Sequence, residues 1–172
     1  GEVLEGDWDV TPALHIHTEV HRSDPEAKVV IHNHPYYATL LASMGMLPEI
    51  NTQTSCLLDG DVGYFDEFSG PVVSADDGRL LAAHVSGKNA CLLWSHGVLV
   101  SGRTIEQATF RMVCLERACR LTYDMLAVGR TPLEILPDVR NATKRGLLTL
   151  GVEAYWVGAV RSLLRSQPEV LV

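Results

Sequence analysis

The stretch "AKVVIHNHPYYATLLASMG" constrains the fold more than any other part of the chain. Its first half, rich in β-branched residues, reads as a strand. Its second half, after Pro35, is a short helix closed by Gly45. Residues two apart in a strand share a face, so His32 and His34 stand side by side while Asn33 points away. Two imidazoles so placed can reach one metal ion at about 2.0–2.1 Å per bond. A pair of hydrogen-bonded histidines at a strand end is the competing reading.

A second segment bears on that choice. "NACLLWSHGVLVSG" is two apolar runs broken at Ser95-His96-Gly97, which predicts two strands or one sharply bent strand. Gly97 permits an unusual backbone conformation beside the histidine. If these strands neighbour the first, His96 completes a facial set of three imidazoles. Neutral ligands leave an ion its full charge and open positions for substrate, the pattern of a catalytic rather than a structural site.

Elsewhere, Thr11 is expected to cap a helix whose first position is Pro12 and which runs to about Arg22. Residues 47–78 are turn-rich and acidic, with strand candidates at "TSCLL" and "GPVVS", and Leu80 to Val85 continues a short amphipathic helix. A capping box from Thr104 to Gln107 opens the strongest helix, which ends at Gly129. A second box, Thr131 to Glu134, opens another helical segment, and residues 142–165 are helical despite Gly146, Gly151 and Gly158. No linker divides the chain, so residues 1–172 are expected to form one α+β domain with helices around a sheet.

The bulk numbers narrow the partners. A formal charge of −7 disfavours nucleic acid and anionic membranes, both of which need a basic surface. No apolar stretch approaches roughly 20 residues, so no membrane span is expected. The four cysteines (Cys56, Cys91, Cys114, Cys119) are scattered without CxxC spacing and read as free thiols of a cytoplasmic protein. No signal peptide is visible. "GEVLEGDWDV" begins abruptly and without methionine, and an N-terminal portion of the fold is expected upstream.

"HTEVHRSDPEAKVVIHNHP" and "LLWSHGVLVSGRTIEQA" together resemble the class II aldolase/adducin family, over essentially the whole chain. The resemblance implies a three-layer α/β/α fold with a central, mainly antiparallel sheet. It implies His32, His34 and His96 as ligands of a divalent metal (Zn2+ or Fe2+, with Mn2+ or Co2+ accommodated). It also implies a small carbonyl or keto-acid substrate and a homotetramer with sites near subunit interfaces. His17 occupies the helix histidine that stands fifteen residues before the first ligand, in a structural or supporting role.

One family feature is missing. In the aldolases a glutamate four residues before that helix histidine transfers protons, and here position 13 is alanine. Asp9 and Glu19 are the nearest carboxylates, and Glu19 lies on the wrong side of the register. Three readings follow. The chain is a lyase with another proton donor (His15, His21, Tyr64 or an upstream residue). It is an Fe(II) oxygenase that oxidatively decarboxylates a 4-hydroxyphenylpyruvate-like keto acid, as in the iron-oxygenase branch related to aminocoumarin biosynthesis. Or it is a non-catalytic, adducin-like scaffold. Tyr36 or Tyr37 is expected to face the metal, with core packing as the alternative. "YFDEF", containing Tyr64, lines a pocket or forms a surface turn. Tyr123 approaches a neighbouring subunit, His84 faces solvent, and Lys88 and Arg103 are candidate contacts for an anionic substrate.

Overall fold

The computed structural model describes residues 3–7, 10–11, 13–67 and 70–171. The expectations for Asp9, Pro12 and Phe68 fall outside the described residues. In chain order the elements are α1 (Leu14–Ser23), β1 (Val29–Asn33), α2 (Tyr36–Ser43), β2 (Val62–Phe65), α3 (Ala75–Val85), β3 (Ala90–Leu93), β4 (Gly97–Gly102), α4 (Ile105–Ala127), α5 (Pro137–Gly146) and α6 (Val152–Ser166). A π-turn over Leu147–Gly151 joins α5 to α6 in one continuous rod.

The strands form a sheet of order β1-β4-β3-β2. β4 is antiparallel to both β1 and β3, and only the β2–β3 pair is parallel, so the sheet is mainly antiparallel. β3 and β4 are central and apolar at nearly every position, as strands covered on both faces must be. Alternation sorts their side chains. Leu92, Val98 and Val100 pack against α2 and α4 through Leu41, Leu115 and Cys119. Cys91, Leu93 and Leu99 pack against α1 and α3 through Ile16, Val20 and Leu81. Two helix layers therefore enclose the sheet in the three-layer α/β/α arrangement that the resemblance implies.

Caps and close contacts fix the helices. Pro35 offers no side-chain cap to α2, and Glu116 of α4 supplies one: its carboxylate accepts from the amides of Tyr37 (2.9 Å) and Ala38 (2.8 Å). Ser74 and Asp77 form the capping box of α3. Gly78 lets α1 and α3 cross closely, since a β-carbon there would lie 2.6 Å from the carbonyl oxygen of His15. Arg140 pairs with Asp59 (3.1 Å) and Lys144 donates to the Asp59 carbonyl (2.8 Å), tying α5 to the body of the molecule.

Several local expectations change. Thr11 does not cap α1; its Oγ1 accepts from the Ala13 amide one turn earlier. "TSCLL" is a 3-10 turn over Ser55–Leu58, because the Ser55 hydroxyl draws in the amides of Asn51 and Thr52. "GPVVS" is no strand but the approach to the α3 cap. The fourth strand is instead β2, whose Tyr64 and Phe65 belong to the stretch read as a pocket wall or surface turn. At Thr104 only half of the box forms: its hydroxyl accepts from Gln107, whose own side chain turns to the Arg103 amide. Thr131 to Glu134 open no helix; residues 131–136 are irregular, and α5 starts at Pro137, whose fixed φ suits a first helical position. The rod Pro137–Ser166 amends the expectation of no membrane-length apolar stretch. At 30 residues, with mean hydropathy 1.3 in its most apolar window, it is long and apolar enough to cross a bilayer by length and composition alone. One of its sides packs on α4, where Val152 meets Phe110 and Cys114.

Candidate metal centre

β1 and the residues just past it carry two of the three sequence-predicted ligands, His32 and His34, to one end of the sheet. The β1–β4 register pairs His32 with Leu99 and Asn33 with Val98, so His34 reaches the start of β4 at Gly97. The turn Trp94-Ser95-His96 brings in the third. Ser95 holds φ +54, the single non-glycine residue in the left-handed region among the described residues, and the His96 amide closes onto the Leu93 carbonyl at 3.1 Å. The three imidazoles converge, with ring centroids 4.7–5.1 Å apart. Each offers one nitrogen, all within 4.8 Å of one another, a spacing that small side-chain movements bring to about 2.0–2.1 Å from a shared ion. No carboxylate or thiol joins the group among the described residues.

The surroundings keep the rings of His32 and His96 neutral, with lone pairs free to ligate. The Nδ1 of His32 lies 2.9 Å from the Val98 carbonyl oxygen. A carbonyl only accepts, so Nδ1 carries the proton and Nε2 keeps its lone pair, the arrangement that orients an imidazole ligand. Burial, opposed by the Val98 hydrogen bond and reinforced by His96, His34 and His17, lowers the His32 pKa to about 4. Burial and the neighbouring His34 also lower that of His96. Both rings are thus neutral at neutral pH and able to ligate.

Gly97 serves the site through space rather than through its dihedral. Its φ is not in the positive range. A β-carbon there would overlap His34 and lie 2.6 Å from the Asn33 carbonyl oxygen. Behind His96, a narrow pocket runs along the α1–α3 face, lined by Phe65, Glu67, Val72, Leu80, Leu93 and Trp94 among others.

Other predicted residues fall variously. His17, half-buried on α1, is held by the Val30 backbone and adds to the field at His32, but it stands outside the ligand group. Tyr36 is 71% exposed and shares a shallow groove with His34. Tyr37 turns away to pack on Tyr123 and under Arg120. Tyr64 is not brought to the histidines: its hydroxyl donates to the Ala42 carbonyl (2.6 Å), at the end of α2 remote from His34. Of the substitute proton donors, His21 is tied to the Ala27 carbonyl (2.6 Å) and His15 sits in the α1–α3 crossing. His84 is exposed, its Nδ1 on the Leu80 carbonyl. Lys88 binds the Gly60 carbonyl and Arg103 pairs with Glu26, both at the opposite end of the sheet. Ala13 packs on the apolar cluster of Ile16 and Val20. Sequence reasoning missed Glu116, Ser95 and Glu67. Only Glu67 had a signal, its place in the acidic-aromatic stretch.

Residues 1–123 match the family described as Class II Aldolase and Adducin N-terminal domain, and the chain belongs to that family. Among characterised relatives it is similar to the decarboxylase NovR of Streptomyces niveus (35% identity over 148 residues, covering 85% of this chain and 54% of that protein). It is also similar to the 4-hydroxy-3-prenylphenylpyruvate oxygenase/4-hydroxy-3-prenylbenzoate synthase of Streptomyces roseochromogenus subsp. oscitans (34% over 122 residues, 70% of this chain and 44% of that protein). The chain thus spans about half the length of these relatives. Of solved structures, L-fuculose 1-phosphate aldolase from Glaciozyma antarctica superposes with a TM-score of 0.66 at 29% identity, over 77% of this chain and 49% of that one. An aldolase II superfamily protein from Pseudomonas syringae does so with a TM-score of 0.76 at 24% identity, over 90% and 63%, and speaks for the fold alone.

Proposed function

We propose that this chain is the catalytic domain of a metal-dependent lyase, spanning residues 1–172, that cleaves a carbon–carbon bond next to a carbonyl group. The cleavage is an aldol scission or the loss of CO2 from a keto acid. The observation that carries the reading is the convergence of His32, His34 and His96, with the Val98 carbonyl fixing the His32 tautomer so that its free nitrogen is available. A divalent ion held there, Zn2+ or Fe2+ with Mn2+ and Co2+ also suited to imidazole, supplies Lewis-acid polarisation of the carbonyl oxygen. The residues around it do the rest. Gly97 keeps His34 in place, Ser95 aims His96, and the apolar walls of Phe65, Val72, Leu80 and Leu93 exclude water from one side of the substrate. We place the protein in the cytoplasm as a homo-oligomer, a tetramer by family expectation; four unpaired buried thiols suit a reducing compartment.

A second reading has its own support. Position 13 offers no carboxylate, and one relative is named an oxygenase of a prenylated phenylpyruvate. On this reading the same histidines hold Fe2+, and a 4-hydroxyphenylpyruvate-like α-keto acid is oxidatively decarboxylated with O2 as the oxidant. Turnover of keto acids under nitrogen and under air separates the two. Product formed without O2 supports the lyase, and strictly O2-dependent product with one O2 consumed per CO2 released overturns it in favour of the oxygenase.

A further inference from the structure

We infer that Glu67 is the acid/base residue of this site, in the role that position 13 lacks; the inference rests on the lyase reading above. β2 and β3 are parallel, with Phe65 opposite Leu93 and the Trp94 amide on the Phe65 carbonyl at 2.8 Å. Two residues beyond each strand stand Glu67 and Ser95. Neighbouring strands are about 4.8 Å apart, so the backbone of Glu67 leaves the sheet alongside the turn that presents His96. Glu67 and His96 line the same pocket, together with Phe65 and Leu93 of the α1–α3 face.

The cavity has two carboxylates, Glu67 and Asp77. Asp77 is committed to the α3 cap, accepting from the Ser74 hydroxyl (2.7 Å) and the Ser74 amide (3.1 Å). Glu67 makes no hydrogen bond or ion pair with any described residue and is exposed at the cavity rim. The other walls are apolar apart from His96 and the indole of Trp94.

When the bond between the carbons α and β to the carbonyl breaks, its electron pair moves into the carbonyl to give an enolate, and the departing fragment is an aldehyde, or CO2 where the substrate is a β-keto acid. Glu67, as the carboxylic acid, donates its proton to the enolate carbon and becomes the carboxylate. It regains a proton from the β-hydroxyl group of the next substrate in aldol cleavage, or from water in decarboxylation. In reverse, the carboxylate removes a proton from carbon.

That reverse step is the test. Pyruvate is incubated anaerobically in D2O with metal-loaded protein, and methyl deuteration is followed by NMR for wild type, Glu67→Gln and Glu67→Asp. Metal content and calorimetric binding of oxalate, a planar mimic of the pyruvate enolate, are measured on each. The expected result is exchange by wild type, a loss of roughly 100-fold or more in Glu67→Gln, partial recovery in Glu67→Asp, and unchanged metal and oxalate binding in all three. Glu67→Gln exchanging at the wild-type rate overturns the inference and leaves the lyase reading standing. Wild type that binds metal and oxalate without exchanging pyruvate overturns both.

Discussion

Gly97 stands against His34 so closely that a β-carbon on it would overlap the imidazole Cδ2 and sit 2.6 Å from the carbonyl oxygen of Asn33. The glycine that follows one candidate ligand thus makes room for another, and the offending atoms include backbone, which cannot swing aside. Gly97→Ala is expected to push His34 out of the cluster. Displacing a group that orients a ligand costs on the order of 10–100-fold in metal affinity. Competition with a chromophoric chelator checks this, with far-UV circular dichroism to establish that the variant folds.

Glu116 and the start of α2 form the second testable link. The carboxylate satisfies two amides in the first turn of a helix whose cap residue is proline. Loss of such a cap costs about 1–2 kcal/mol. Glu116→Ala is expected to lower stability to urea by that amount. Because α2 begins two residues after His34, metal affinity should weaken as well.

The buried thiols give a pH dependence whose sign is fixed. Burial raises the pKa of Cys91 and Cys119 to about 12 and of Cys114 to about 11. The unfolded chain releases these protons near its ordinary value of about 8.5, so above that pH the native state binds more protons and stability falls as pH rises toward 11–12. Urea midpoints measured from pH 8 to 10.5 should decline. Iodoacetamide at pH 8 should label these cysteines in the unfolded chain far faster than in the native one; labelling at equal rates would contradict their placement.

Ala13 invites a gain-of-function test. It lies at the edge of the α1–α3 apolar cluster, on the helix whose His17 faces β1. In the Glu67→Gln background, Ala13→Glu is expected to lose some stability through partial burial of a carboxylate, yet to restore anaerobic cleavage by about tenfold, short of the roughly 10²–10⁴-fold of a fully positioned acid. No gain, with metal binding intact, would count against a simple degenerate aldolase.

The sheet and its histidines were legible because their signals are local and periodic. The β-branched run into His32, the split apolar run around His96 and the glycine-ended helices each name their own structure. What escaped depends on contacts between distant residues. β2 is an edge strand with Gly63 inside it, defined by its pairing to β3 rather than by its own composition. Glu116 lies 79 residues from the amide of Tyr37 that it caps, and nothing in either segment announces the other. Tyr64 was one of the candidate substitute donors, but only the packing of β2 against α2 reveals that its hydroxyl is spent on Ala42. Gly97 was singled out for its freedom of φ and proved to matter for its lack of a side chain.

The central claim is that His32, His34 and His96 together hold one metal ion, and metal stoichiometry tests it most directly. Wild type and His96→Ala are purified anaerobically without chelators and analysed by inductively coupled plasma mass spectrometry. We expect about one divalent ion per chain in wild type, and its loss from a His96→Ala variant that remains folded. A wild-type protein without stoichiometric metal, or a folded His96→Ala variant that retains it, would contradict the assignment.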